Sequence, residues 1–228
     1  MKNRMYKTNT CPNVVSNLEG LLAHDVTTSK YKELMYLLGN SLGENLAPLL
    51  NSSNSYCVAS TAEDADFLSK GLIDNLLGRV SDVKLACFWN YHSTPLEGSP
   101  STAPIIKKFI EAGADKSDNL IVVKSIISGS CVVKTNLTAL IESMQPKTIF
   151  VVAPVIHTDA EKKLKLEFPN EISEKFVFEY FAKDDIRDSS TNEVIPGIGG
   201  NVYKHLGFAS QEMKNKYTPK IVTERLFA

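Results

Sequence analysis

Residues 120–135 read LIVVKSIISGSCVVKT, and this stretch decides the fold. It opens with four consecutive apolar residues, 120–123, which are typical of a strand buried on both faces of a parallel sheet. A loop of small residues, 128–130, follows. From 132 to 143 the apolar residues recur at helical spacing, which predicts a helix packed on one face. The stretch therefore predicts a strand, a tight loop and a helix.

The loop at this junction could bind an anion. Where a strand turns into a helix, backbone N–H groups point outward, and small side chains leave room for a ligand. Ser128, Gly129 and Ser130 are therefore either a phosphate cradle or an ordinary strand-to-helix turn. Lys124 ends the apolar run, and it is either an anion contact or the solvent-facing end of a strand.

Strands and helices alternate along the rest of the chain. Residues 31–50 keep one apolar stripe and predict a long helix, and a short helix is expected near 15–22. The other predicted elements are strands at 56–59, 83–89, 148–155 and 176–181 and helices at about 62–77, 105–112 and 159–168. This alternation predicts an α/β fold in which helices flank a parallel sheet. We expect one domain, residues 30–228 with a C-terminal hood, after an N-terminal arm of residues 1–29.

Ligands of such sheets bind at the carboxyl ends of the strands, which directs attention to two further segments. VASTAEDADF, residues 58–67, begins at the end of one predicted strand. Its acidic residues either form a metal or ribose site or only interact favourably with the positive end of the helix dipole. VIPGIGGNVY, residues 194–203, is either a substrate-binding turn or a plain loop. Its glycines permit positive φ angles and close backbone approach to a planar base.

Three further positions are candidates of a different kind. The turn-rich stretch NYHSTPLEGSPS, residues 90–101, predicts a flap, so Tyr91 and His92 are either lid residues or exposed loop residues. His157 follows a buried strand and is a candidate site residue. Trp89 is expected in the core.

Composition narrows the classes of function. The chain has 228 residues, 43% of them hydrophobic, and a net charge of −1, so no general attraction to nucleic acid is expected. No apolar run approaches the roughly 20 residues that span a bilayer, so no transmembrane helix is expected. No apolar segment follows the basic first residues, so no secretory signal is expected. The four cysteines are widely spaced; Cys57 and Cys87 are expected in the core, and neither a disulfide nor a zinc site is expected. We therefore expect a cytoplasmic protein.

Three segments together resemble the type I phosphoribosyltransferases, and among them the uracil phosphoribosyltransferases. They are VVKSIISGSCVV (122–133), VASTAEDADF (58–67) and FVFEYFAKDDIRDSSTNEVIPGIGGNVYKHLGF (176–208). The resemblance implies that the phosphate and ribose of phosphoribosyl diphosphate, or of a nucleotide, are bound by Lys124, Ser125, Ser128, Gly129, Ser130 and Cys131. It implies that the diphosphate is met by Ser60, Thr61, Ala62 and Glu63. It assigns a nucleobase to Ile195, Pro196, Gly197, Gly199 and Gly200.

The resemblance also implies a Mg²⁺ ion that bridges the diphosphate, and a homodimer in which the helix at 31–50 could serve as an interface. Two positions depart from the family pattern. Lys124 stands where the family has an acidic residue that meets the ribose hydroxyls, and a lysine cannot accept hydrogen bonds from a diol. Gly200 stands where the uracil-binding segment has an acid.

The sequence thus leads to a main hypothesis and two alternatives. The main hypothesis is a protein that binds a phosphorylated ribose and transfers it to a nucleobase. The first alternative is a non-catalytic nucleotide-sensing or partner-regulating module on the same fold, which the changes at Lys124 and Gly200 favour. The second is an enzyme of altered substrate, in which Lys124 serves a different anion.

Overall fold

The computed structural model describes residues 4–91, 102–188 and 193–227, and a mostly parallel sheet forms its centre. The strands are β1 (Arg4–Tyr6), β2 (Ser55–Thr61), β3 (Asp82–Asn90), β4 (Ile105–Ile110), β5 (Asn119–Val123), β6 (Ile126–Ile127), β7 (Ile149–His157), β8 (Phe176–Asp184), β9 (Ile186–Arg187) and β10 (Val194–Ile195). The main sheet has the order β1-β8-β7-β5-β2-β3-β4, and β6 pairs with β7. Strands β8, β7, β5, β2 and β3 run parallel, whereas the edge strands β1 and β4 run antiparallel to their neighbours.

Helices cover both faces of this sheet. They are α1 (Pro12–Leu21), α2 (Thr28–Leu46), α3 (Ala62–Asp64), α4 (Lys70–Leu76), α5 (Cys131–Met144), α6 (Ala160–Leu166), α7 (Asn170–Ser173), α8 (Val202–His205), α9 (Gln211–Lys216) and α10 (Lys220–Leu226). A π-helical turn, Ala65–Ser69, joins α3 to α4. The predicted class, an α/β fold with helices around a parallel sheet, is confirmed.

Alternate residues of the central strands serve the two faces, which gives the protein two hydrophobic clusters. Val58 and Ile121 point into the cluster that α1, α2 and α4 cover. Cys57 and Leu120 point into the cluster that α5 and α6 cover. Every residue of β5 is buried, as expected for a strand enclosed on both faces.

Strand β5 is interrupted at the position that matters most for the site. Its pairing with β7 ends at Val123, and pairing resumes at Ile126 in β6. The two residues between them, Lys124 and Ser125, leave the ladder, although the Lys124 N–H still donates to Val152 O at 3.0 Å. This break lets the Lys124 side chain turn toward the end of β2, the neighbour of β5 on its other side.

Two predictions about local structure are wrong. Residues 105–112 were expected to form a helix, but Ile105–Ile110 is the edge strand β4, paired antiparallel with β3. The apolar residues at 105, 106, 109 and 110 fit a helical stripe, and only the hydrogen bonds to β3 decide for the strand. Leu49 was expected on the apolar stripe of α2; it lies beyond the end of that helix and is 52% exposed.

Both ends of the described chain join the main body. β1 extends the sheet beside β8, and α1 packs against α2. Residues 194–227 form the C-terminal hood over the carboxyl ends of the strands, where Trp89 Nε1 donates to Tyr217 O at 2.7 Å. Within the described residues, no helix is both long enough and apolar enough to cross a membrane.

Candidate functional site

A cavity of about 300 Å³ lies at the carboxyl ends of the central strands, beneath the hood. All three segments singled out in the sequence contribute to its lining. The polar and small contributing residues include Glu63 from the first segment, Lys124, Ser128, Gly129 and Cys131 from the second, and Arg187, Glu193, Gly200, Asn201 and Tyr203 from the third. A volume of this size lies at the lower end of the range for small-molecule sites, about 300–1,000 Å³.

Several candidate residues do not line this cavity. Ser60, Thr61, Ala62 and Ser125 are each at most 2% exposed and belong to the strand ends behind it. Ser130 faces a neighbouring cavity. Ile195, Pro196, Gly197 and Gly199 form the turn behind the lining. Of the four residues expected at a diphosphate, only Glu63 reaches the cavity.

The open loop, residues 128–130, leads directly into the 14-residue helix α5. Within the described residues, the three backbone N–H groups of this loop donate no hydrogen bond. The side chain of Ser130 does not cap the helix. A Cβ atom at Gly129 would meet nothing within 4 Å, and the φ angle of Gly129 is not positive. Gly129 is thus not required by backbone conformation or packing, and its missing side chain leaves space on the cavity side.

A second cavity, of about 670 Å³, adjoins the first across Gly129 and Cys131. Its lining includes three cationic side chains, Lys134, Lys163 and Arg187. Glu167 accepts from Ser130 Oγ at 2.9 Å and from Lys134 Nζ at 2.5 Å, and these two donors lower the pKa of Glu167. Among the described lining residues of this cavity, positive side chains therefore outnumber negative ones.

The lysine at the break in β5 is enclosed by carboxylates. Lys124 Nζ lies 2.5 Å from Asp64 Oδ2 and 3.3 Å from Glu63 Oε1, and Ser125 Oγ lies 3.4 Å away. Burial alone would lower the pKa of Lys124, but Asp64 and Glu63 raise it above its usual value. The charge of Lys124 is thus compensated inside the protein before any ligand arrives.

A second lysine, from the hood, completes this cluster. Lys214 in α9 is 4% exposed; its Nζ donates to Asn90 O at 3.0 Å and lies 3.6 Å from Glu63 Oε2. Burial would raise the pKa of Glu63, but Lys124 and Lys214 lower it below its usual value. Sequence reasoning missed Lys214, because nothing in a lysine on a short polar helix signals burial.

The anchored turn, residues 195–200, differs from the open loop because the protein uses most of its backbone. Arg4 donates to Gly197 O, and Gly197 N donates to Asp184 Oδ2 at 2.8 Å. Arg4 also forms a fully buried ion pair with Asp184 at 2.7 Å. The Ile195–Pro196 peptide bond is cis. Strands β1 and β8 therefore fix the start of the turn.

Two aromatic rings fix its middle. Tyr31 Oη donates to Ile198 O at 3.1 Å, and His205 Nε2 lies 2.6 Å from Gly199 O. The two rings stack on each other, with centroids 4.7 Å apart. Gly200 and Asn201, just after these contacts, face the cavity, and Asn201 Oδ1 is buried without a hydrogen-bond partner in the described part of the chain. His205 thus supports this turn.

The remaining candidates lie outside the cavity lining. Trp89 is fully buried, as expected. Tyr91 is 41% exposed at the end of β3, and His92 lies outside the described residues. His157 is buried at the end of β7, where its Nδ1 accepts from Asp159 N at 3.1 Å. Burial, and next the charge of Arg187, lower the pKa of His157.

Within the described residues, no group of three or more His, Cys, Asp and Glu side chains is placed to hold a metal ion. Glu63, on the cavity wall, and Asp64, buried behind it, both contact Lys124. These two carboxylates are therefore directed to a lysine ammonium group.

Comparison with known proteins identifies the fold. No family model matches the chain, and no curated protein does. Among solved structures, the AQ2163 protein from Aquifex aeolicus is similar at a TM-score of 0.69 and 13% identity, over 90% of this chain and 99% of that protein. At this identity the likeness shows a shared fold.

Two enzymes are also among the similar structures. Adenine phosphoribosyltransferase from Thermoanaerobacter pseudethanolicus matches at a TM-score of 0.41 and 15% identity, over 64% of this chain and 80% of the enzyme. Hypoxanthine phosphoribosyltransferase from Staphylococcus aureus matches at a TM-score of 0.41 and 15% identity, over 79% of this chain and 84% of the enzyme.

Proposed function

We propose that this chain is a phosphoribosyltransferase-like protein that binds a phosphorylated ribose, either phosphoribosyl diphosphate or a nucleotide, in the 300 Å³ cavity. One observation carries the proposal. The open loop presents three backbone N–H groups without partners among the described residues at the start of a long helix, and two of its residues, Ser128 and Gly129, line that cavity. Such a helix start is suited to a phosphate, because its N–H groups and the helix dipole both favour negative charge.

The phosphate is assigned to Ser128, Gly129 and Ser130. The open space at Gly129 allows a phosphate oxygen to approach the backbone, and a side chain there would occupy it. The cationic lining beyond Gly129, from Lys134, Lys163 and Arg187, supplies a favourable field for the same group. Cys131, the first residue of α5, lines the cavity beside the loop.

The base is assigned to the opposite wall, where the hood contributes Gly200, Asn201 and Tyr203. The Asn201 side-chain oxygen is a buried acceptor without a partner in the described residues, so a donor on the edge of a base would satisfy it. Ile195, Pro196, Gly197 and Gly199 act as the scaffold of this wall, since the backbone of their turn is bonded to Arg4, Asp184 and His205.

If the protein transfers the ribose, the reaction is a substitution at the anomeric carbon with departure of diphosphate. The developing positive charge on the sugar and the negative charge of the leaving group need positioning and electrostatic stabilisation more than acid–base residues. The lysine and carboxylate cluster next to Glu63 would face these charges.

The same cluster motivates a second candidate function, a non-catalytic module that senses a nucleotide. Ser60, Thr61 and Ala62 are buried, and Glu63 is the member of that segment on the cavity wall. A departing diphosphate would therefore meet a carboxylate there, whereas phosphate binding at the open loop needs no contact with it. Binding without transfer fits this arrangement.

The test is calorimetric titration with phosphoribosyl diphosphate of the wild type, of Gly129→Asp and of the control Gly78→Asp. Both glycines have open space around the missing Cβ, so both variants add the same charge without a steric clash, although the φ of +78° at Gly78 makes its variant somewhat less stable. We expect wild type and Gly78→Asp to bind alike and Gly129→Asp to lose at least about tenfold in affinity. Equal affinities for all three would remove the open loop from the proposal.

Transfer is tested separately, by diphosphate release from phosphoribosyl diphosphate in the presence of each common nucleobase. Release that requires one base and is abolished in Gly129→Asp would support the transferase. Binding without release for every base would support the sensing module.

A further inference from the structure

The resemblance to phosphoribosyltransferases brings with it a Mg²⁺ ion, and the residues at the end of β2 decide whether one fits. Glu63 lines the cavity and Asp64 is buried behind it, and Lys124 Nζ contacts both carboxylates. The distances are 3.3 Å to Glu63 and 2.5 Å to Asp64, so the ammonium group lies where a cation shared by these carboxylates would lie. Mg²⁺ needs oxygen ligands at about 2.0–2.1 Å in an octahedral arrangement, which the ammonium group excludes.

The charges of the cluster are already balanced. Lys124 and Lys214 carry two positive charges, which compensate the two negative charges of Glu63 and Asp64. One divalent cation would compensate the same two negative charges. Adding such a cation would leave the cluster with an uncompensated double charge in a largely buried place. The resident side chains therefore do not fit Mg²⁺ at this position.

We infer that the Lys124 ammonium group serves as a built-in cation, so that this protein binds its phosphorylated ligand without a divalent metal. This inference rests on the proposed function. Of the two lysines, Lys124 is the one that a ligand can reach, because its side chain lines the cavity and is 13% exposed. The side chain of Lys214, in the hood, is only 5% exposed and does not line the cavity. The weakest contact of Lys124, at 3.4 Å to Ser125 Oγ, is the one that a ligand oxygen could replace.

Loss of this lysine should change what the neighbouring carboxylates bind. Glu63 and Asp64 would then lose their shared partner, and Asp64 Oδ1 is already buried without a hydrogen bond in the described residues. Carboxylates are the usual protein ligands of Mg²⁺, with water completing the shell, and Mn²⁺ prefers the same oxygen ligands. Removing the Lys124 ammonium group should therefore create a divalent-metal site.

The first arm of the test uses the wild type. Phosphoribosyl diphosphate is titrated in excess EDTA and again in excess Mg²⁺, and we expect dissociation constants that agree within about threefold. Binding in Mg²⁺ and loss of at least about tenfold in EDTA would overturn the inference. If the wild type binds under neither condition, the proposed function fails, and the second arm alone decides about the cation position.

The second arm measures Mn²⁺ binding by electron paramagnetic resonance, and thermal unfolding with and without Mn²⁺, for wild type, Lys124→Ala and Lys70→Ala. Lys70 is the control because it pairs with a single carboxylate, Asp74, at 2.6 Å on the surface of helix α4. We expect Mn²⁺ to bind and to raise the melting temperature only in Lys124→Ala. No gain of Mn²⁺ binding in folded Lys124→Ala, or equal binding to the wild type, would overturn the inference. Should Lys124→Ala not fold, the EDTA comparison on the wild type decides between the two outcomes.

Discussion

Gly129 and Gly199 both lie in short turns beside the cavity, yet a methyl group would meet opposite surroundings at the two positions. At Gly129 it would meet nothing within 4 Å, whereas at Gly199 it would lie 2.6 Å from Leu21 O. Among the described residues, the backbone N–H groups of the open loop make no hydrogen bond. The backbone polar groups of the anchored turn are hydrogen-bonded to the side chains of Arg4, Asp184, Tyr31 and His205. One glycine leaves room for a ligand, and the other allows two pieces of backbone to touch.

The comparison therefore separates two kinds of effect. Changes that disturb the anchored turn should lower the free energy of unfolding. Changes in the open loop should spare stability and lower affinity for a phosphorylated ligand.

The largest effect is expected from Arg4→Met, which removes the cation that holds the anchored turn. Asp184 would remain fully buried with only the Gly197 N–H as a partner from the turn, and breaking a buried pair in this way costs about 3–5 kcal/mol. Urea unfolding measures the loss. The control is Lys7→Met, whose pair with Glu179 is 43% exposed on the lysine side and should contribute about 1 kcal/mol or less. Similar losses for the two variants would contradict the special role of Arg4.

Gly199→Ala should come next, at about 2–4 kcal/mol. Its φ of +88° is unfavourable for any side chain, and the new methyl group would press on Leu21 O. Gly78→Ala separates these two causes, because Gly78 has a φ of +78° and no neighbour within 4 Å, so it should lose only about 1 kcal/mol. Both variants are compared by urea unfolding, and equal losses would mean that close packing at Gly199 contributes nothing.

Gly129→Ala should leave the free energy of unfolding within about 0.5 kcal/mol of the wild type, because neither its φ angle nor its surroundings require glycine. Under the proposed function, the methyl group would crowd the phosphate and weaken binding of phosphoribosyl diphosphate about fivefold, or about 1 kcal/mol. Unfolding and calorimetry on the same preparation test both halves. A destabilised variant with unchanged affinity would reverse the comparison.

The smallest effect concerns His157, which is paired in register with Asp184 beside the anchored turn. Burial, and next Arg187, lower its pKa below the usual 6.5, so the unfolded chain binds more protons than the folded one as the pH falls through that value. The contribution of His157 is therefore lost as the pH falls below about 6.5, and it does not change with pH well above that value. Relative to His157→Asn, the wild type should lose stability between about pH 7.5 and pH 5.5. A difference between the two proteins that does not change with pH would refute this assignment.

Much of the fold could be predicted because its signals are local. The apolar run of β5 and the helical spacing of α5 lie within one stretch of sequence, and both elements form as expected. Residues 105–110 could not be assigned correctly, because their apolar pattern fits both a helix and an edge strand, and the partner strand decides.

The candidate site divides in the same way. The sequence singled out three segments, and they do meet around one cavity. The partners of Lys124 could not be foreseen, since Glu63 and Asp64 belong to another strand end and Lys214 to the hood. The role of a glycine likewise depends on which distant atoms lie next to it, and those are known only once the chain is folded.

The antiparallel edges of the sheet have a consequence for self-association. A long exposed edge strand is a template on which a second chain can add its own strand, and proteins often prevent this with short edges or with lysine. Here one edge is β1, only three residues long, and the other is β4, which carries Lys107 and Lys108 in succession. Both edges therefore discourage growth of the sheet from molecule to molecule, which protects concentrated protein from fibrous aggregation and leaves helix surfaces as the places where two copies could join.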